Sequence, residues 1–171
     1  MLYLLDANTL IHAKNLYYPF QRVPEFWEWL IHKGEEGAIK VPPEIHDEIS
    51  DKGTPRERRD DLALWSERPQ FLEHLLLDEE VDQVQVAQIT YGGYTPTPTE
   101  DDLEKMGNDP FLLAHANIDP ENRVVVTTEV SKPKRQGANR HIPDVAKTFG
   151  IRCINTFQMI HELDFSTNWK E

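Results

Sequence analysis

The sequence holds a single cysteine, Cys153. It can close no disulfide within the chain and build no zinc site on thiolates, so a reducing, cytoplasmic compartment is expected. Set in Ile151-Arg152-Cys153-Ile154, it reads as a small buried hydrophobe. Basic residues are also scarce: 18 Lys and Arg stand against 30 Asp and Glu, a formal charge of −12. A field of that sign repels polyanions, so nucleic acid could be held only through cations or a local basic segment. A basic protein partner is the other natural consequence. No apolar run approaches the roughly 20 residues of a membrane-spanning helix. The opening Met1-Leu2-Tyr3-Leu4-Leu5-Asp6 lacks the basic start of a secretory signal. The seven histidines show no zinc spacing.

What is present is an alternation of short apolar runs with helical stretches. Leu2–Leu5, Ile39–Val41, Val124–Thr127 and Ile151–Ile154 read as strands. Helices are expected from Thr9 to about Tyr18, and from Glu25 to Glu36 with Pro24 opening and Gly37 stopping it. Another starts at Pro42-Pro43 and carries Ile45, Glu48 and Ile49. Arg56–Glu67 and Asp78 to about Tyr91 look like charged helices, while Phe71–Leu77 fits strand or helix. Gly92-Gly93-Tyr94-Thr95-Pro96-Thr97-Pro98 reads as a loop. Thr99 and Asp102 form a capping box for the next helix, and Asn108 caps the one after. Pro143–Phe149 and Asn155–Leu163 complete the series. Trp27, Trp29 and Trp65 read as core. Strands separated by helices imply βαβ units. The expected fold is therefore one α/β domain over residues 1–171, a three-layer α/β/α with a central parallel sheet of four or five strands. Residues 56–104 form a helical elaboration of it.

In parallel sheets, functional groups collect where strands end. Asp6 ends the first strand, Glu129 follows the third, and Asp109 opens a helix. Glu48 lies within the helix after the second strand, with Glu44 one turn earlier competing for its role. Gathered carboxylates repel one another unless a cation sits among them, and all-oxygen donors suit Mg²⁺ or Mn²⁺ better than zinc. Each acid also has an ordinary alternative as a helix cap, a dipole partner or a solvated residue. Asp144 reads as a helix-start acid. Asn8, Thr9 and Thr128 flank the acids and could contact substrate or cap helices. The basic loop Lys132-Pro133-Lys134-Arg135-Gln136-Gly137-Ala138-Asn139-Arg140 follows Glu129 directly, which makes Lys134, Arg135 and Arg140 candidates for phosphate contact.

These local sequences resemble those of PIN domains. Tyr3-Leu4-Leu5-Asp6-Ala7-Asn8-Thr9-Leu10-Ile11 is similar to the opening strand and first acid. Val41-Pro42-Pro43-Glu44-Ile45-His46-Asp47-Glu48-Ile49 is similar to the second-acid helix. Gly107-Asn108-Asp109-Pro110-Phe111-Leu112-Leu113-Ala114-His115-Ala116 resembles the third-acid helix, and Val124-Val125-Val126-Thr127-Thr128-Glu129 the strand before the fourth acid. The four blocks occur in family order. The resemblance implies a Mg²⁺- or Mn²⁺-dependent ribonuclease whose catalytic and metal-binding acids are Asp6, Glu48, Asp109 and Glu129. It further implies RNA as substrate and an antitoxin protein as partner, and it admits a homodimer. The fourth position carries glutamate where the family usually has aspartate. A haloacid-dehalogenase-type phosphatase also ends its first strand in aspartate, but needs a second aspartate where this chain has Asn8. A degenerate PIN fold serving as a binding module is the non-enzymatic rival.

Overall fold

The computed structural model describes residues 1–171. Its strands are β1 (Leu2–Leu5), β2 (Ile39–Lys40), β3 (Arg123–Val126) and β4 (Arg152–Ile154). All pair in parallel in the order β2-β1-β3-β4. Consecutive strand residues point to opposite faces, so a strand without solvent on either face is covered on both. Leu4, Leu5, Val124, Val125 and Val126 are each 0% exposed, which puts helical layers on both sides of the sheet. The fold is α/β with a single four-stranded, all-parallel sheet, as the alternation of strands with helices implied.

The helices follow the expected order. They are α1 (Ala7–His12), α2 (Pro24–Glu35), α3 (Pro43–Ser50), α4 (Asp61–Ser66), α5 (Gln83–Ile89), α6 (Glu100–Met106), α7 (Asp109–Asn117), α8 (Ile142–Thr148) and α9 (Thr156–Glu162). None is long and apolar enough to cross a membrane. Proline opens α2, α3, α7 and α8 within their first two residues. Reciprocal capping boxes start α6 (Thr99 with Asp102) and α9 (Asn155 with Gln158). Trp27, Trp29 and Trp65 are buried in the core.

Three segments differ from expectation. The charged stretch after Pro55 makes a short 3₁₀ turn, Arg56–Arg58, before Asp60 caps α4 by accepting from the Ala63 amide at 2.9 Å. Phe71–Leu77 is both of the alternatives it suggested. A wide helical turn spans Phe71–Leu75, and Leu76 then bridges Val41 in parallel at the sheet edge. Thr90–Tyr94, partly expected as loop, instead continues α5 as a wide helical turn. Gly93 permits it: a β-carbon there would lie 2.6 Å from Val145 Cγ1 and 2.9 Å from Phe149 Cε2, so only glycine lets this turn press onto α8.

Candidate functional site

The strand order creates one switch point, between β1 and β3, where successive connections leave in opposite directions. The crevice beyond the carboxyl ends of these strands is the expected place for a ligand. Register fixes its floor. Leu5 pairs with Val126, so Asp6 and Thr127 emerge side by side, and the Asp6 amide donates to the Val126 carbonyl at 2.9 Å.

Asp6 is 3% exposed. Its Oδ2 accepts a 2.7 Å hydrogen bond from the Thr127 hydroxyl, which in turn accepts from the Glu129 amide at 3.1 Å. Burial pushes the Asp6 carboxyl up to about 6, against the Thr127 hydrogen bond, with Glu129 and Glu48 adding repulsion. Asp109, in the first turn of α7, is pushed further, to about 8, by burial and then by Asp6, Glu129 and Glu48. The second member of a repelling pair to ionise bears the full repulsion, and here it is Asp109. The four acids named from sequence therefore share one electrostatic environment although they come from β1, α3, α7 and the segment after β3.

Glu48 reaches the crevice from an exposed position on α3. Asn108 steadies it: its amide donates to Glu48 Oε2 at 3.3 Å and to the Glu44 carbonyl at 3.0 Å. Asn108 occupies the cap position of α7 without a capping side-chain bond and ties α7 to α3 instead. Glu44 is committed elsewhere, with Oε2 lying 3.1 Å from Nε2 of the fully buried His115. His115 Nδ1 faces Glu79 at 3.3 Å, and Arg123 grips Glu79 through two bonds of 2.7 and 2.8 Å. The two glutamates thus have different partners, Glu44 facing His115 and Glu48 facing Asn108. Glu129 is half-buried, and its Oε2 accepts from the Ile142 amide at the start of α8 at 2.8 Å.

The other candidates divide. Asn8 is exposed beside Asp6, and Thr128 is half-buried beside Glu129. Thr9 is 1% exposed and donates to the Val126 carbonyl at 3.0 Å, so it fastens α1 to β3 rather than meeting a substrate. Lys134 and Arg135 are exposed. Arg140, expected to face phosphate, is occupied: its guanidinium donates to the Gly93, Asp144 and Thr148 oxygens. Asp144 holds the base of the basic loop, accepting from the Ser131 hydroxyl at 2.5 Å and the Lys132 amide at 2.7 Å.

Two residues of the crevice escaped the sequence reading. Thr127 is one; the run Thr127-Thr128 gives no hint of which hydroxyl points at Asp6 until the register is known. Tyr94 is the other. It is 6% exposed, and its buried hydroxyl has no hydrogen-bond partner. Burial, then Asp109 and Glu129, push that hydroxyl far above its ordinary range, so it stays protonated beside the acids. Cys153, on β4, is pushed up to about 12 by burial and by Asp6 and Glu129.

The donor set consists of carboxylate oxygens, the chemistry that hard divalent cations take, and their mutual repulsion is the penalty a cation relieves. No three acidic, histidine or cysteine side chains converge into a ready-made cage. Mg²⁺ keeps several waters and can bind through one or two carboxylates, so Asp6 and Asp109 are the residues that would hold such an ion.

Fold and site together define an α/β protein with a buried acidic crevice at the switch point of a parallel sheet. The chain belongs to the DUF4411 family, described as a domain of unknown function, which matches residues 3–167. No curated protein and no solved structure matches the chain.

Proposed function

We propose that this protein is a Mg²⁺- or Mn²⁺-dependent ribonuclease of PIN type, paired with an antitoxin protein in the cell. The observation that carries the reading is the gathering of Asp6, Glu48, Asp109 and Glu129 about one crevice, where burial first and then the other three acids lift Asp109 to about 8. Such an arrangement opposes stability unless a cation occupies it. When bound, the cation would supply Lewis acidity to a water and to the scissile phosphate. The chain's residues set up the rest. Thr127 fixes the direction of the Asp6 carboxylate, and Asn108 holds Glu48 toward Asp109. The Tyr94 hydroxyl offers an uncharged donor to a phosphate oxygen, where a further anion would be repelled. Lys134 and Arg135 offer the local positive charge that the acidic whole lacks.

Asp6→Asn and Asp109→Asn remove charge with little change of shape. Each is expected to lower Mn²⁺ affinity at least tenfold and abolish Mn²⁺-dependent RNA cleavage, with the fold intact by circular dichroism. Wild-type cleavage by both variants would sink the nuclease reading. One observation favours a second reading, a PIN-type fold kept as a binding module: no three side chains converge on a single point. Calorimetric titration separates the two, since a binding module would take up Mn²⁺ weakly and lose nothing with Asp109→Asn.

A further inference from the structure

Beside the crevice lies a cleft of about 380 Å³, in the lower part of the size range of ligand pockets. Thr128 and Glu129 line it, which makes it continuous with the acidic cluster. Pro143, Cys153 and Ile154 contribute apolar lining. At its rim Tyr17 and Phe157 form an edge-on aromatic pair with ring centres 5.0 Å apart. Both rings face solvent, at 44% and 49% exposure, although large apolar groups usually seek the core. Inside it, Thr156 is 3% exposed, and its buried hydroxyl has no partner. A buried polar group without a partner is uncommon in folded proteins and asks for one.

We propose that this cleft seats a nucleobase of single-stranded RNA, adjacent to the phosphate at the carboxylate cluster. The proposal rests on the nuclease reading for what the neighbouring cluster does. Charge selects the occupant. No lysine, arginine or histidine lines the cleft and Glu129 does, so a phosphate is repelled while a neutral ring is not. Exposed aromatic faces are what unpaired bases stack on, and a base edge supplies the donor or acceptor that the Thr156 hydroxyl lacks. A paired base cannot reach in, because its edge is already taken and its faces are stacked within the duplex. The cleft therefore confers a preference for unpaired strands on a site whose acids alone would not discriminate.

The test uses the whole protein and a single-stranded oligoribonucleotide bearing one 2-aminopurine, with Ca²⁺ replacing Mn²⁺ during binding. Stacking should quench the probe's fluorescence in the wild type. Phe157→Ala, at an exposed position, should remove the quench and weaken binding about tenfold, as loss of a base–aromatic stack does. Its Mn²⁺ affinity should not change. An abasic oligonucleotide should bind the wild type as weakly as Phe157→Ala, and the variant should no longer distinguish abasic from base-bearing strands. Thr156→Val should melt no lower than the wild type yet discriminate less among bases. An unquenched probe, or equal affinity of the wild type for abasic and intact strands, overturns the proposal and leaves the aromatic rim to a peptide. In that event, persistent Mn²⁺-dependent cleavage would keep the nuclease reading. Quenching without any cleavage would retain the cleft and remove the nuclease instead.

Discussion

Tyr94 shows how much a single polar atom can carry. A buried hydroxyl without a partner costs the ligand-free protein about 1 kcal/mol or more. Tyr94→Phe keeps the ring and deletes only that atom, so the variant should melt at a higher temperature than the wild type. Removing a donor aimed at developing negative charge costs catalysis roughly 100-fold. Cleavage should therefore fall by about that factor while Mn²⁺ affinity holds. A Phe variant with full activity would make the hydroxyl idle. His115 behaves in the opposite way, since both of its ring nitrogens face carboxylates. His115→Leu takes from Glu44 its ring partner and leaves Glu79 to Arg123 alone, and should cost about 2 kcal/mol by chemical denaturation, as loss of a hydrogen bond to a charged group does. Thr127 and Thr128 mark the limit of sequence reading at this scale. Nothing local distinguishes the two hydroxyls, and only the pairing of Leu5 with Val126 brings Thr127 beside Asp6.

At the scale of elements, the strands were legible because burial on both faces demands continuous apolar runs, and Val124-Val125-Val126 admits little else. The capped helices were legible for a similar reason: proline at a first turn and reciprocal boxes such as Thr99 with Asp102 act locally. What could not be read depends on distant partners. Gly92-Gly93-Tyr94 has the composition of a loop, yet contact with Val145 and Phe149 on α8 keeps it helical and buries Tyr94 beside the acids. What separates Glu48 from Glu44 is their partners, Asn108 and His115, both on or next to α7. The basic loop is divided likewise. Its second half closes as a 3₁₀ turn, Gly137–Asn139, with Arg140 bonded inward, while Lys134 and Arg135 stay exposed. Lys134→Ala with Arg135→Ala should weaken binding to single-stranded RNA. The slope of log affinity against log salt should flatten by about 1.4, the value for two phosphate contacts on a single strand. An unchanged slope would return the loop to solvent.

The whole molecule carries a charge of −12, and of its crowded acids Asp6 is buried and Asp109 half-buried. That combination fixes how stability depends on pH. Asp6 and Asp109 have folded values of about 6 and about 8, above the ordinary 3.8. Between the ordinary and raised values the folded chain holds protons that the unfolded chain has released. Their stabilising contribution is therefore complete below the unfolded value and is lost as pH rises through about 8 for Asp109. Paired acids act in the other window. Arg123 holds Glu79 low and Arg152 holds Glu162 low, so their contribution is lost only as pH falls below the ordinary carboxylate range. The two windows scarcely overlap. Without metal, the melting temperature should fall steadily from about pH 5 to about pH 9, and Asp109→Asn should remove most of that fall. Mn²⁺ needs the ionised carboxylates, so it binds more tightly as pH rises and releases protons as it binds. A ligand that binds only the folded state raises its stability in proportion to the logarithm of its occupancy. Saturating Mn²⁺ should therefore flatten or reverse the fall toward alkaline pH in the wild type and do little in Asp109→Asn. Differential scanning calorimetry across pH, with Mn²⁺ or with chelator, reads both effects. A metal-free protein equally stable at the two ends of that range would mean that neither burial nor mutual repulsion raises the acids of the crevice, and the reason for placing a cation there would be gone.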